Sequence, residues 1–201
     1  LVLLGPWLRA TTLGWLLGFP LVILLALGGE AIGLGGIQSL VGAAMGLGVG
    51  ITQGRALRPR LGSPTSWIVA TTLGLAAPFI IYDLSVVLER PLPYQLPVVV
   101  AIGGLGVGIW QSVLLRRRYD GTVTWIGASL VGWTLAALAA YSADLVQHSG
   151  IRGMAGALLY LGAAAVGGPI LGLVTGLAFT RLERRYLGSC LRPNDPPPLE
   201  K

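Results

Sequence analysis

Charged residues interrupt this chain at wide and nearly regular intervals. Uncharged stretches separate Arg9 from Glu30 (20 residues), Glu30 from Arg55 (24), Arg60 from Asp83 (22), Arg90 from Arg116 (25), Asp120 from Asp144 (23) and Arg152 from Arg181 (28). Each reaches the roughly 20 residues that a helix needs to cross a hydrocarbon core of about 30 Å. The pattern predicts an all-α polytopic membrane protein with six transmembrane helices. One such run can be a buried core helix, but six in 201 residues leave no soluble shell to bury them. A single domain is expected over residues 1–187. The remainder, 188–201, carries four prolines and reads as an extended or disordered tail.

The spans also repeat. Trp7-x-x-Ala10-Thr11-Thr12-Leu13-Gly14 recurs as Trp67-x-x-Ala70-Thr71-Thr72-Leu73-Gly74, and more loosely as Trp125-x-x-Ala128-Ser129-x-x-Gly132. Gly46-Leu47-Gly48-Val49-Gly50-Ile51-x-Gln53 followed by Leu57-Arg58 matches Gly104-Leu105-Gly106-Val107-Gly108-Ile109-x-Gln111 followed by Leu115-Arg116. The third copy keeps Gly172, Gly176 and Arg184, with Phe179 where glutamine stands in the others. Three helical hairpins in series are predicted, at about 7–58, 67–116 and 125–184. Each contains two spans, so all three enter the membrane from one side as parallel repeats. Many secondary transporters are instead built from inverted repeats.

The repeat assigns roles by register. Gly42, Gly46 and Gly50, then Gly104 and Gly108, then Gly168, Gly172 and Gly176 lie four apart, hence on one helix face. Such faces admit a close backbone approach by another helix, so the even helices are expected to form an inner layer or meet a partner. Trp7, Trp67 and Trp125 open the odd helices, where indole rings suit a membrane interface. Arg58, Arg116, Arg117 and Arg118 close the even helices as anchors that can snorkel to headgroups.

Composition and charge narrow the class. The chain is 54% hydrophobic and 11% charged, against about a quarter charged in soluble domains. The shortfall excludes both an ordinary soluble domain and a disordered chain. Twelve of the 14 cations fall on the side holding both termini and the loops near 55–65 and 116–122. Only Arg90 and Arg152 lie opposite. By the positive-inside bias both termini are cytoplasmic, in a bacterial inner (cytoplasmic) or intracytoplasmic membrane. The positive charge is then a topology signal with anionic lipid headgroups as its partner, rather than a nucleic-acid surface. The lone Cys190 falls on that reducing side and has no internal disulfide partner.

The motif Trp-x-x-Ala-Thr-x-x-Gly, followed by a glycine-rich helix ending Gly-x-x-Gln…Leu-Arg, resembles a group of uncharacterised multi-span bacterial membrane proteins built from such hairpins. The resemblance covers residues 7–118 closely and 125–185 loosely. In that group tryptophan commonly follows the glutamine, whereas here Trp110 precedes Gln111 and Gly54 follows Gln53. The resemblance implies the fold and the repeat and carries no activity.

Chemistry is scarce. One histidine and one cysteine lie on opposite sides of the membrane, so neither a Cys–His pair nor a metal cluster forms from this sequence. The glycine-rich run at 103–108 lies inside an apolar span and lacks the context of a phosphate loop. No catalytic residue, metal site or cofactor is assigned. Gln53 and Gln111 are expected to hydrogen-bond a neighbouring helix, with ligation of a pigment magnesium as the alternative. Asp83, Asp144 and His148 lie near the outer ends of their helices. They are read either as solvated interfacial groups or as a shared outer polar site. The leading expectation is a non-catalytic subunit that packs against other membrane protein subunits in a larger complex, such as a respiratory or photosynthetic one. The alternatives are an ion or small-solute transporter with its entrance at Asp83 and Asp144, and a pigment- or lipid-binding membrane protein.

Overall fold

The computed structural model describes residues 4–93, 95–148 and 153–190, with backbone alone at 144–148 and 189–190. These residues form six helices: α1 (Leu4–Ala31), α2 (Ser39–Leu61), α3 (Thr65–Val87), α4 (Leu96–Leu115), α5 (Val123–His148) and α6 (Gly153–Cys190). Five of them are long and apolar enough to cross a membrane, which gives the chain the character of a helical membrane protein. The exception is α2. Its five glycines add almost no hydropathy, and Gln53 and Arg55 lower it further.

The helix ends follow local chemistry. Gly62 takes a left-handed φ of 73° and closes α2 by donating its N–H to the Arg58 carbonyl. Ser63 Oγ accepts the Thr65 N–H at the start of α3, and Pro97 occupies the first turn of α4. α6 runs 38 residues, about 57 Å at 1.5 Å per residue, well beyond one hydrocarbon core. It continues to Cys190, three residues into the segment expected as a loose tail. The rest of that tail, 191–201, lies outside the described residues.

Each helix packs on its neighbours in sequence, and α6 packs on α1, so the six close into a ring. The expected inner layer of even helices does not form, because no two even helices share a substantial contact. The repeated glycines instead face the next hairpin around the ring. A Cβ added at Gly46 would meet the Thr71 carbonyl oxygen of α3 at 2.7 Å. One at Gly108 would meet Ser129 Cβ of α5 at 2.8 Å, and one at Gly172 would meet Leu8 Cδ1 of α1 at 2.9 Å. Gly42 and Gly50 lie on the same α3 contact, Gly104 on Trp133 of α5, and Gly168 and Gly176 on α1. Within each hairpin the motif glycines Gly14, Gly74 and Gly132 let α1, α3 and α5 lie against α2, α4 and α6. Glycine on both kinds of seam brings backbones close enough for dense van der Waals contact.

Candidate functional site

The end of the ring that carries most of the arginines, here the basic end, has a tryptophan core. Trp7, Trp67 and Trp125 are buried, with ring centroids 5.8–6.2 Å apart. This corrects the expectation that they anchor the helices at a lipid interface. They turn inward because the bundle supplies what a headgroup would: apolar contact for the ring and an acceptor for the indole N–H.

Those acceptors come from the even helices. Trp67 Nε1 donates to Gln53 Oε1 (3.2 Å), and Gln53 Nε2 donates to Thr11 Oγ1 (3.0 Å). One turn of the ring further, Trp125 Nε1 donates to Gln111 Oε1 (3.0 Å), and Gln111 Nε2 donates to Thr71 Oγ1 (2.8 Å). Each glutamine thus ties three helices together. The third seam differs. Phe179 replaces the glutamine and stacks on Trp7 at 5.3 Å, while Trp7 Nε1 donates to Thr175 Oγ1 (3.0 Å). Both glutamines are buried with both ends of the amide engaged. Their oxygens face an indole rather than a space that admits a macrocycle, so they are poorly placed as pigment ligands. Among the described residues, Thr72 Oγ1 is the one buried side-chain polar atom without a partner. It lies where Gly46 brings the α2 backbone against α3.

Outside this core the cations face outward. Arg58, Arg116, Arg117 and Arg118 are exposed. Arg116 Nε donates to Thr122 Oγ1 (3.3 Å). Arg118 donates to the Arg60 carbonyl (3.1 Å) and its guanidinium lies 5.4 Å from the Tyr186 ring centroid. Arg60 pairs with Glu183 at 2.6 Å, joining α2 to α6. Burial first, and the Glu183 carboxylate next, push the Tyr119 phenol above its ordinary pKa, so it stays neutral.

Opposite the basic end, Asp83 does not line a vestibule. Its carboxylate accepts the backbone N–H of Gln38 (2.9 Å) and of Ser39 (2.8 Å). It is a cap for α2 supplied by α3, satisfying donors that a helix start leaves unpaired. The side chains of Asp144 and His148 lie outside the described residues, and with them the expected shared outer polar site.

The feature that sequence reasoning missed lies between these two ends. A cavity of about 260 Å³ is lined by residues of all six helices. Trp15 and Trp133 flank it about 12 Å above the tryptophan core, eight residues further along their helices. Phe19, Phe79, Val100 and Ala137 form its walls. Its surface is mostly apolar, and Trp15 Nε1 is already donated to the Ala164 carbonyl (2.9 Å). The repeat explains the space. Phe19, Phe79 and Ala137 each lie 12 residues beyond their motif tryptophan, so the third hairpin lacks the ring that the first two contribute.

The cavity reaches the surface beside α6. No residue from Gly153 to Gly162 is buried, and a Cβ at Gly162 or at Gly28 of α1 would meet nothing within 4 Å. From Gly167 to Gly176, by contrast, α6 lies tightly on α1. Tyr160, 40% exposed, lines the cavity at this open end of the seam. Among the described residues no group of His, Cys, Asp and Glu side chains is arranged to hold a metal. Comparison with known proteins returns no match, whether among family models, curated proteins or solved structures.

Proposed function

We propose that this is a non-catalytic membrane protein that binds a hydrophobic molecule in the half of the bundle away from the basic end. The six-helix cavity carries the reading. Apolar cavities of about 150 Å³ already bind benzene, so about 260 Å³ suits a short alkyl chain or a small ring system. The paired polar layer below it closes the axis with packed tryptophans, and the layer's polar atoms are engaged with one another among the described residues. This favours a binding protein over a transporter, and Asp83 serves as a helix cap instead of an entrance. The reading takes all six helices as spans, in three parallel hairpin repeats about a common axis. The arginine asymmetry then puts both termini in the cytoplasm and the cavity in the outer leaflet of a bacterial inner membrane.

The test uses the cavity's own tryptophans. A brominated alkane added in detergent should quench part of the fluorescence saturably, through Trp15 and Trp133. Ala137→Phe, which supplies the missing ring, should abolish the saturable part. Linear quenching in the wild type would count against the cavity as a binding site.

One observation favours the accessory-subunit reading as a second. The α6 segment 153–162 presents Met154, Leu158 and Leu161 at 76%, 62% and 62% exposure, and none of its residues is buried. A neighbouring subunit would find its contact there rather than on the repeated glycines, which are occupied inside the ring. A photocrosslinker at Leu158 that captures only lipid in native membranes would remove this reading.

A further inference from the structure

A second concavity lies on the outer surface at the basic end, between α5 and α6. It encloses about 510 Å³. Its floor is Ala178 and Leu182, both buried, and its walls are Val131 and Leu177, both exposed. Gly127 opens it on the α5 side, since a Cβ there would meet nothing within 4 Å. Arg181 and Arg185, one helical turn apart and both exposed, stand at its rim beside Thr124. Neither guanidinium is ion-paired among the described residues, whose one ion pair is Arg60–Glu183.

The third hairpin is carved out here as well. Ala178 holds the register of Trp110 in the second hairpin, and Gly127 holds that of Val69 and Arg9. Two subtractions on facing helices leave a groove where a matching hairpin would be filled. From Arg185 to Val174 the groove follows 11 residues of α6, about 16 Å. That is half of a hydrocarbon core of about 30 Å, the depth of one leaflet.

We propose that this groove holds an anionic phospholipid from the leaflet on the basic side. Its phosphate lies between Arg181 and Arg185, and one acyl chain runs along Gly127, Val131, Val174 and Ala178. Two features select this occupant. The rim carries positive charge at the depth of a headgroup, and the floor is apolar for the length of a chain. Guanidinium suits the upper part because its planar donors bind phosphate oxygens in pairs. The site is distinct from the six-helix cavity and does not depend on it.

The whole protein would be placed in nanodiscs containing equal phosphatidylglycerol and phosphatidylcholine, then released for native mass spectrometry. Retained lipid should be enriched in phosphatidylglycerol. Replacing Arg181 and Arg185 by glutamine should reduce that enrichment by about fivefold for each arginine. Ala178→Trp should remove retained lipid of both kinds by filling the groove. Arg58→Gln with Arg117→Gln removes equal charge elsewhere at the same end and should change nothing. Equal retention of the two lipids by the wild type overturns the proposal, as does an equal loss in the Arg58 and Arg117 variant. If the groove variants fail to fold, the wild type alone decides. Its melting temperature must be higher in phosphatidylglycerol than in phosphatidylcholine nanodiscs, and by a margin that survives high salt better than a diffuse surface effect would.

Discussion

Replacing Gln111 by leucine removes one three-helix bridge while nearly conserving volume. Trp125 Nε1 loses its acceptor at 3.0 Å and Thr71 Oγ1 loses its donor at 2.8 Å. Thr71 keeps a partner, because its hydroxyl also donates to the Trp67 carbonyl (2.8 Å). The Trp125 indole does not, and at 1% exposure it has no route to water. Interhelical hydrogen bonds in membranes average about 0.6 kcal/mol, and a buried donor left unpaired costs about 1–3 kcal/mol. The penalty includes one of the lost bonds, so the expected total is about 2 kcal/mol. At about 2–4 °C per kcal/mol for a chain of this size, the melting temperature should fall by about 4–8 °C. Thermal unfolding in a mild detergent reads this directly. A cycle with Trp125→Phe isolates the bridge, because phenylalanine removes the orphaned donor. The double variant should then be about 1 kcal/mol more stable than the sum of the two single changes predicts. A melting temperature within 1 °C of the wild type, together with an additive cycle, would refute the reasoning.

Three further outcomes follow from the same contacts. Gly46→Ala should destabilise by about 1–3 kcal/mol in thermal unfolding, because its Cβ meets α3 backbone at 2.7 Å. Gly162→Ala, with open space around it, should be neutral or slightly stabilising in the same assay. Asp83→Ala should cost about 1 kcal/mol by exposing the start of α2, and liposomes carrying it should match the wild type in proton and sodium flux. A flux that the wild type carries and this variant loses would restore the transporter reading.

Much of the helical frame was legible because charge is too costly to leave in hydrocarbon. The breaks at Arg90 and Asp120 therefore fall in turns between helices, and Glu30 and Arg60 in the last turns of α1 and α2. The glycine faces were legible as surfaces of close approach, since spacing by four is a property of the helix alone. What they approach was not, because the sequence does not say how hairpins are ordered in space. The tryptophans were misplaced for a related reason. An indole near a helix start is satisfied equally by a headgroup or by an internal amide. A decisive signal was present in the shared spacing: Trp67 follows Gln53 by 14 residues and Trp125 follows Gln111 by 14. Thr11 and Thr71 were visible as motif positions but not as acceptors. The cavity was invisible because it is an absence. It depends on Ala137 standing at the register of two phenylalanines, which matters only once the three hairpins face a common axis.

The reading of the protein as a binder of hydrophobic molecules is tested most directly by native mass spectrometry of the protein released from its own membranes. The wild type should carry a small hydrophobic molecule at close to one per chain. Ala137→Phe should fold, melt at or above the wild-type temperature, and lose that molecule. A wild-type protein that arrives bare, or an adduct that survives unchanged in a well-folded Ala137→Phe variant, would contradict the account.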